Sequence, residues 1–343
     1  MKKNTLLYVV VFIALAVTAA VIVLKNTKST LPQELTDFGY DDTASVSKIV
    51  LSDHYKNVTT LDRKSRGFWI VNNKYKVNQD NISMLLGTIK NVQVKSPIPI
   101  PAKDNVIKDL ATNGIKIDIY SGPNLVKSYY VGSPTPDELG TLMLLKGSSQ
   151  PFITWIPGFS GYLTPRYIVR VRDWRSAEIY NLSPADIKTI TVKYNDNTKE
   201  SFIFKVKDND FLLYKKDTTE IPVKVNMMLA KKYLSGFAQV DFEGFVNLRP
   251  MQADSVLRKT PFASINLTCS GKNYPPLILY YKQSDMATKD IGKNDIDLDR
   301  FYAVMGDNPK DLFEVQTYVV GKLMAFYDDL AHGKATYIAK ELQ

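Results

Sequence analysis

The chain has 343 residues, 45% of them hydrophobic and 23% charged, which excludes a disordered or fibrous protein and leaves room for two ordinary domains. The formal charge of +9 is partly local, because Lys2, Lys3, Lys25 and Lys28 flank one apolar run and residues 1–30 contain no acid. No long Lys/Arg block follows, which argues against a nucleic-acid footprint, and a single cysteine, Cys269, rules out an intramolecular disulfide framework.

Thr5–Leu24 is an uncharged run whose helix would be about 30 Å long, the thickness of a hydrocarbon core. Apolar residues continue past Ala14-Leu15-Ala16 to Leu24, so the run reads as an uncleaved anchor, residues 5–24, instead of a signal peptide. The short basic start predicts a cytoplasmic N-terminus with everything after Leu24 outside. Residues 25–44 read as a polar connector.

The first folded copy is expected over residues 45–170. Val46–Leu51 alternates as a half-buried strand, and Val58–Leu61 and Phe68–Val71 continue a meander. Asn78 stands as the N-cap of a helix that presents Ile82, Leu85, Leu86, Ile89 and Val92 along one stripe. Pro97, Pro99 and Pro101 break that pattern, and a short helical piece, Asp104–Leu110, follows. Ile115, Ile117 and Ile119 alternate with polar neighbours as a strand. Ser121–Asn124 turns into Leu125–Val131. Leu142–Leu145 and Phe152–Ile156 read as strands, and Gly158–Leu163 as a short helix.

After a linker at 171–185 the same order recurs over 186–332. Ile187, Ile190 and Val192 match Val46, Ile49 and Leu51 at an offset of 141, and Phe211–Tyr214 repeats Phe68–Val71 at 143. Asn226, Ala230, Tyr233, Leu234, Phe237 and Val240 repeat the capped helix at 148. Ile265, Leu267 and Cys269 are matched to Ile115, Ile117 and Ile119, and Leu279–Tyr281 to Tyr129–Val131, at 150; Gly321 and Leu323 match Gly161 and Leu163 at 160. The expected fold class is therefore α+β: two internally duplicated, mainly antiparallel sheet-plus-helix units after one N-terminal transmembrane helix.

Candidates for chemistry are few. His54 and His332 belong to no HExxH or close His/Cys pattern, and Gly158-Phe159-Ser160-Gly161 lacks the GxSxG spacing. Asp290, Asp295, Asp297 and Asp299 begin like a calcium loop, but Arg300 stands where Gly is needed and Gly306 where Glu is needed. Ile296 and Leu298 between the acids predict an amphipathic strand with a solvated acidic face. Cys269 lies in an apolar alternation and reads as a buried small residue. The 20 Tyr, 15 Phe and 3 Trp fall mostly on alternating strands, where aromatics pack. No residue is assigned a catalytic, cofactor-binding or metal-binding role.

The strand pair ending at Phe68–Val71, the capped helix Asn78–Val94, the Pro-containing loop and the strands Ile115–Tyr120 and Tyr129–Gly132, with their second-copy partners, resemble the bacterial domain-of-unknown-function 4340 family. The resemblance covers most of residues 45–330. It implies a single span in the bacterial inner membrane, a repeated periplasmic domain and, for some members, genes beside ABC-type transporters and their auxiliary proteins. It carries over no catalytic residue. The function expected is a non-catalytic, membrane-anchored envelope protein, an accessory or scaffold subunit of a membrane complex. The alternative is a glycan- or peptidoglycan-binding or sensing module. The partners expected are the membrane and an envelope or transporter protein, with no nucleic acid.

Overall fold

The structure, a computed structural model, describes residues 13–18, 36–208, 210–284, 296–306 and 311–333. Of the expected anchor it describes six helical residues, 13–18; the rest of Thr5–Leu24 lies outside the described residues. No helix among the described residues is long and apolar enough to cross a membrane. The architecture is mixed α+β with antiparallel sheets, and the chain divides between Ser176 and Ala177 into two compact units.

In the first unit β1 (Val46–Ser52), β2 (Val58–Ser65), β3 (Phe68–Val71) and β4 (Tyr75–Lys76) form a meander. The helix Gln79–Asn91 leads to β5 (Gln93–Pro97), and the helix Ile100–Asn113 leads to β6 (Ile115–Ser121). The unit's sheet is completed by β7 (Asn124–Pro134), β8 (Thr141–Leu145) and β9 (Phe152–Trp155). The sheet order is β4-β3-β2-β1-β6-β7-β8-β9-β5, antiparallel at every step. Alternate strand residues such as Ile49, Leu61, Val71, Ile117 and Tyr129 face the helical stripe Ile82, Leu85 and Ile89 in one core, as the two periods require. The helix starts where the Asn78 side chain accepts from the amides of Asp80 and Asn81, at 2.9 and 3.1 Å.

Several local expectations change, the first being the end of the capped helix, which stops at Asn91 so that Val92 caps it and Val94 falls on β5. The second helix starts at Ile100 instead of Asp104, with a proline inside its first turn, where a missing N–H breaks no intrahelical bond. Gly158 and Gly161 take φ of +80° and +139°, so that segment turns, and the only helical piece nearby is a 3-10 turn at Thr164–Arg166. The expected linker is shared between the units. Trp174 is fully buried in the first core, its indole N–H donating to the Ile168 carbonyl at 2.7 Å, while Ile179 and Tyr180 are buried in the second. The end of the connector is also built in, with Phe38 edge-on to Tyr129 and Phe152.

The second unit begins with β10 (Glu178–Tyr180), then β11 (Ile187–Tyr194), β12 (Phe202–Lys207), β13 (Asp210–Lys215) and β14 (Val223–Lys224). The helix Met227–Ser235, β15 (Val240–Asp241), β16 (Gly244–Phe245) and the helix Pro250–Leu257 follow. The chain closes the sheet with β17 (Ala263–Cys269), β18 (Lys272–Asn273), β19 (Leu277–Gln283), β20 (Ile296–Met305) and β21 (Phe313–Gln316). β10 pairs with β15, and the large sheet runs β14-β13-β12-β11-β17-β19-β20-β21-β16, with β18 beside β17. That is the order of the first sheet, step for step. The helix Pro250–Leu257 contributes Val256 to a smaller cluster with Tyr280, Val304 and Leu312, on the sheet face opposite Leu279 and Ala303.

Pairing shows which positions correspond. Ile49 pairs with Leu61 as Ile190 pairs with Phe204, and Leu61 pairs with Val71 as Phe204 pairs with Leu213. Val71 therefore stands with Leu213 and Trp69 with Phe211, one residue from the offset of 143 read in the sequence. The first hairpin has a register shift between Arg63 and Ser65 that the pairing of Val206 with Phe211 and Lys207 with Asp210 lacks. One extra residue there is a β-bulge. Likewise Ile117 and Ile119 stand with Ile265 and Leu267, and Tyr129 and Val131 with Leu277 and Leu279, two residues from the offset of 150. A two-residue slip leaves every side chain on its own face, so alternation alone does not reveal it.

Candidate functional site

The bulged β2–β3 hairpin forms one wall of a cleft of about 820 Å³ in the first unit. In a regular strand successive side chains face opposite sides. Here the bulge at Lys64 interrupts that alternation, and Arg63, Lys64, Ser65 and Arg66 all line the same cleft. Gly67, with φ of +76°, supplies the left-handed residue that closes the turn. Gln79, Ile82, Ser83 and Leu86 of the first helix, together with Thr43 and Ala44, complete the lining.

Arg63 is the fixed member of the group. Its guanidinium lies 4.8 Å from the ring centroid of the buried Trp69, a cation–π contact. Nη2 donates to the Thr43 carbonyl at 2.8 Å and Nη1 donates to that of Ala44. Nε is buried and has no partner. Burial lowers the Arg63 pKa while the charge of Asp42 opposes that shift; an arginine nonetheless stays protonated. Lys64 and Arg66 are exposed, with Lys64 Nζ 3.4 Å from the Asn73 side-chain oxygen. Among the described residues none of these three cations pairs with a carboxylate.

The residues singled out in the sequence are not brought together. His54 lies against Tyr55 with the rings tilted by 42° and centroids 3.6 Å apart, at a smaller cleft of about 370 Å³ whose Arg170 is held by Asp173 at 2.7 Å. His332 lies in the other unit, its Nδ1 2.8 Å from the Asp328 carbonyl at the end of the helix Tyr327–Ala331. Cys269 is buried at the end of β17, where burial raises its thiol pKa. Asp290 and Asp295 lie outside the described residues.

Asp299 is exposed, as expected of a solvated acidic face, but Asp297 corrects that expectation. It is 7% exposed, with Oδ2 3.3 Å from Lys282 Nζ and Oδ1 accepting from the Asp299 amide at 2.9 Å. Lys282, also 7% exposed, lies 3.5 Å from Glu314. A buried carboxylate persists only when paired, and the pairing of β19 with β20 supplies the lysine. Nearby, Arg300 donates two hydrogen bonds to Glu243, at 2.7 and 3.1 Å, which lower the Glu243 pKa. No cluster of three or more His, Cys, Asp or Glu fit to hold a metal occurs among the described residues.

The sequence shows the charges of Arg63, Lys64 and Arg66, but alternation distributes them over two faces; only the bulge gathers them. Lys282 follows the apolar and aromatic run Leu277–Tyr281, and its carboxylate partners are visible only through strand pairing.

Antiparallel sheets with capped helices packed on them define an α+β protein of two like-ordered units. Residues 69–259, more than half of the chain, match the family described as Domain of unknown function (DUF4340), and the chain belongs to that family. No curated protein and no solved structure matches it.

Proposed function

We propose that the chain is a non-catalytic, membrane-anchored envelope protein, an accessory or scaffold subunit of a membrane complex. The observation that carries this reading is that groups suited to catalysis are engaged in structure. His332 meets a helix-end carbonyl, Cys269 is packed in a strand, and Asp297 is ion-paired with Lys282. The uncharged run Thr5–Leu24 behind a basic start supports the anchor and a periplasmic location for the rest. Ile221 and Met228, 88% and 80% exposed around the start of the helix Met227–Ser235, are apolar side chains that contact with a protein partner would remove from water.

The duplication belongs to the same proposal. Its support is the shared strand order, together with Asn78 and Asn226 capping the helix at the same step. The second reading, a ligand-binding or sensing module, is favoured by the cleft beside Arg63.

Tethering raises the effective concentration for a weak contact, so a scaffold depends on its anchor. The folded part released behind a cleavable signal should fold yet fail to restore function in a deletion strain, and cross-linking in native membranes should recover one recurrent membrane protein. Full rescue by the released form would replace the scaffold with the ligand-binding reading.

A further inference from the structure

The cleft at the β2–β3 hairpin is better explained by a ligand than by the needs of the fold, because the second unit meets the same packing demand without it. At the place of Arg63 over Trp69 the second unit has Val206 paired with Phe211. Val206 packs against that unit's main core, and Phe211 is part of it. A valine therefore suffices at this position for a sheet of the same order. The first unit instead carries a partly desolvated guanidinium, and desolvation disfavours the charged form. Its hairpin also carries one residue more, and that residue places Lys64 beside Arg63 and Arg66 in a single cleft. The second unit's hairpin keeps a regular register. Both differences gather positive charge at one place; the charge of Asp42 acts on Arg63, but no carboxylate among the described residues ion-pairs with Arg63, Lys64 or Arg66.

Arg63 has a structural role too, holding the carbonyls of Thr43 and Ala44. Those bonds leave its buried Nε unpartnered, and they do not involve Lys64 or Arg66. The helix adds the half-buried Leu86 to the lining of the same cleft, an apolar side chain beside the cations. Cations and an aliphatic side chain lining one cleft suit a ligand of mixed character, because charge-assisted hydrogen bonds hold a phosphate while an alkyl portion leaves water.

The geometry points to this cleft as a binding site for a phosphate ester joined to an apolar body, with Lys64 and Arg66 contacting the phosphate, Arg63 fixing the floor and Leu86 meeting the alkyl portion. Two sources share this chemistry, a phospholipid of a bilayer and a soluble amphiphile. The site stands on its own residues and does not depend on the scaffold reading.

The test is titration calorimetry on the full-length chain in zwitterionic detergent, with hexyl phosphate as the probe and inorganic phosphate beside it. Saturable binding of hexyl phosphate is expected, weaker binding of inorganic phosphate, and a loss of about tenfold or more in the double variant Lys64→Gln/Arg66→Gln, given the strength of charged hydrogen bonds. Both residues are exposed, so an unchanged thermal transition should accompany that loss. The variant Lys207→Gln, on the regular hairpin of the second unit, should bind as the parent does. Absence of saturable binding, equal affinity in the double variant, or inorganic phosphate binding as tightly as hexyl phosphate would overturn the assignment. Once binding is seen, phosphatidylglycerol in mixed micelles separates the sources: competition assigns a bilayer lipid, and undiminished binding assigns a soluble amphiphile.

Discussion

Tyr180 is buried with its hydroxyl unpartnered among the described residues, whereas Tyr194 and Tyr233 donate to the carbonyls of Ala325 and Leu323 at 2.9 and 3.0 Å. A buried hydroxyl without a partner costs about 1–3 kcal/mol. Phenylalanine would keep the ring contacts with Phe237 and Tyr274. Tyr180→Phe is therefore expected to stabilise the protein by about 1 kcal/mol in chemical denaturation; a loss of stability would reveal a partner for the hydroxyl. In the first unit the hydroxyls of Tyr129 and Tyr167 meet at 3.3 Å. Burial raises both pKa values above the ordinary 10, that of Tyr167 to about 12. The native state thus holds these protons more tightly than the unfolded chain. The contribution of Tyr167 is complete below pH 10 and is lost as pH rises from 10 through 12, and that of Tyr129 is likewise complete below 10 and lost at higher pH. Tyr167→Phe should flatten the fall in unfolding free energy across that interval, and an unchanged slope would remove this pair from the account.

At the scale of elements, the two capped helices are alike in entry and unlike in length. Asn78 accepts from two amides and Asn226 from that of Met228 at 2.8 Å. Asn78→Ala should cost about 1 kcal/mol, and Asn226→Ala no more than that. The first helix runs 13 residues and the second 9, ending at Gly236. Ile89 therefore lies inside its helix, while Phe237 lies just beyond the end of the other. Both are nevertheless fully buried, because Phe237 packs edge-on against Tyr233 with centroids 5.8 Å apart. Truncating either residue to alanine should destabilise by about 2–5 kcal/mol. A negligible loss at Phe237 would show that the co-spacing of apolar positions does not reflect a shared core position.

For the molecule as a whole, each unit has its own principal core, so a core truncation should act within its own unit. Amide exchange should rise across β1, β2 and β6 in Ile89→Ala, and across β11, β12 and β17 in Phe237→Ala; a rise spread evenly over both sheets would count against separate cooperative units. The proposed location has its own measurement. A reporter active only in the periplasm, fused after Gln343, should function, whereas one active only in the cytoplasm should not. The reverse pattern would invert the topology expected from Lys2 and Lys3 and remove the proposed partner class with it.

The sequence by itself determined which faces are buried. Alternation placed Ile117 and Ile119 inward, helical spacing placed Ile82, Leu85 and Ile89 inward, and Asn78 and Asn226 marked helix starts, all because burial follows the periods of strand and helix. Tertiary structure alone decided register and charge pairing. A slip of two residues preserves every face, which is why the sequence offset sets Ile265 against Ile115 while pairing sets it with Ile117. A bulge adds one residue without altering composition, so the gathering of Arg63, Lys64 and Arg66 left no periodic trace. Lys282 and Asp297 are buried together because neighbouring strands bring opposite charges into one poorly solvated place, an energy set by distance in space and not by spacing along the chain.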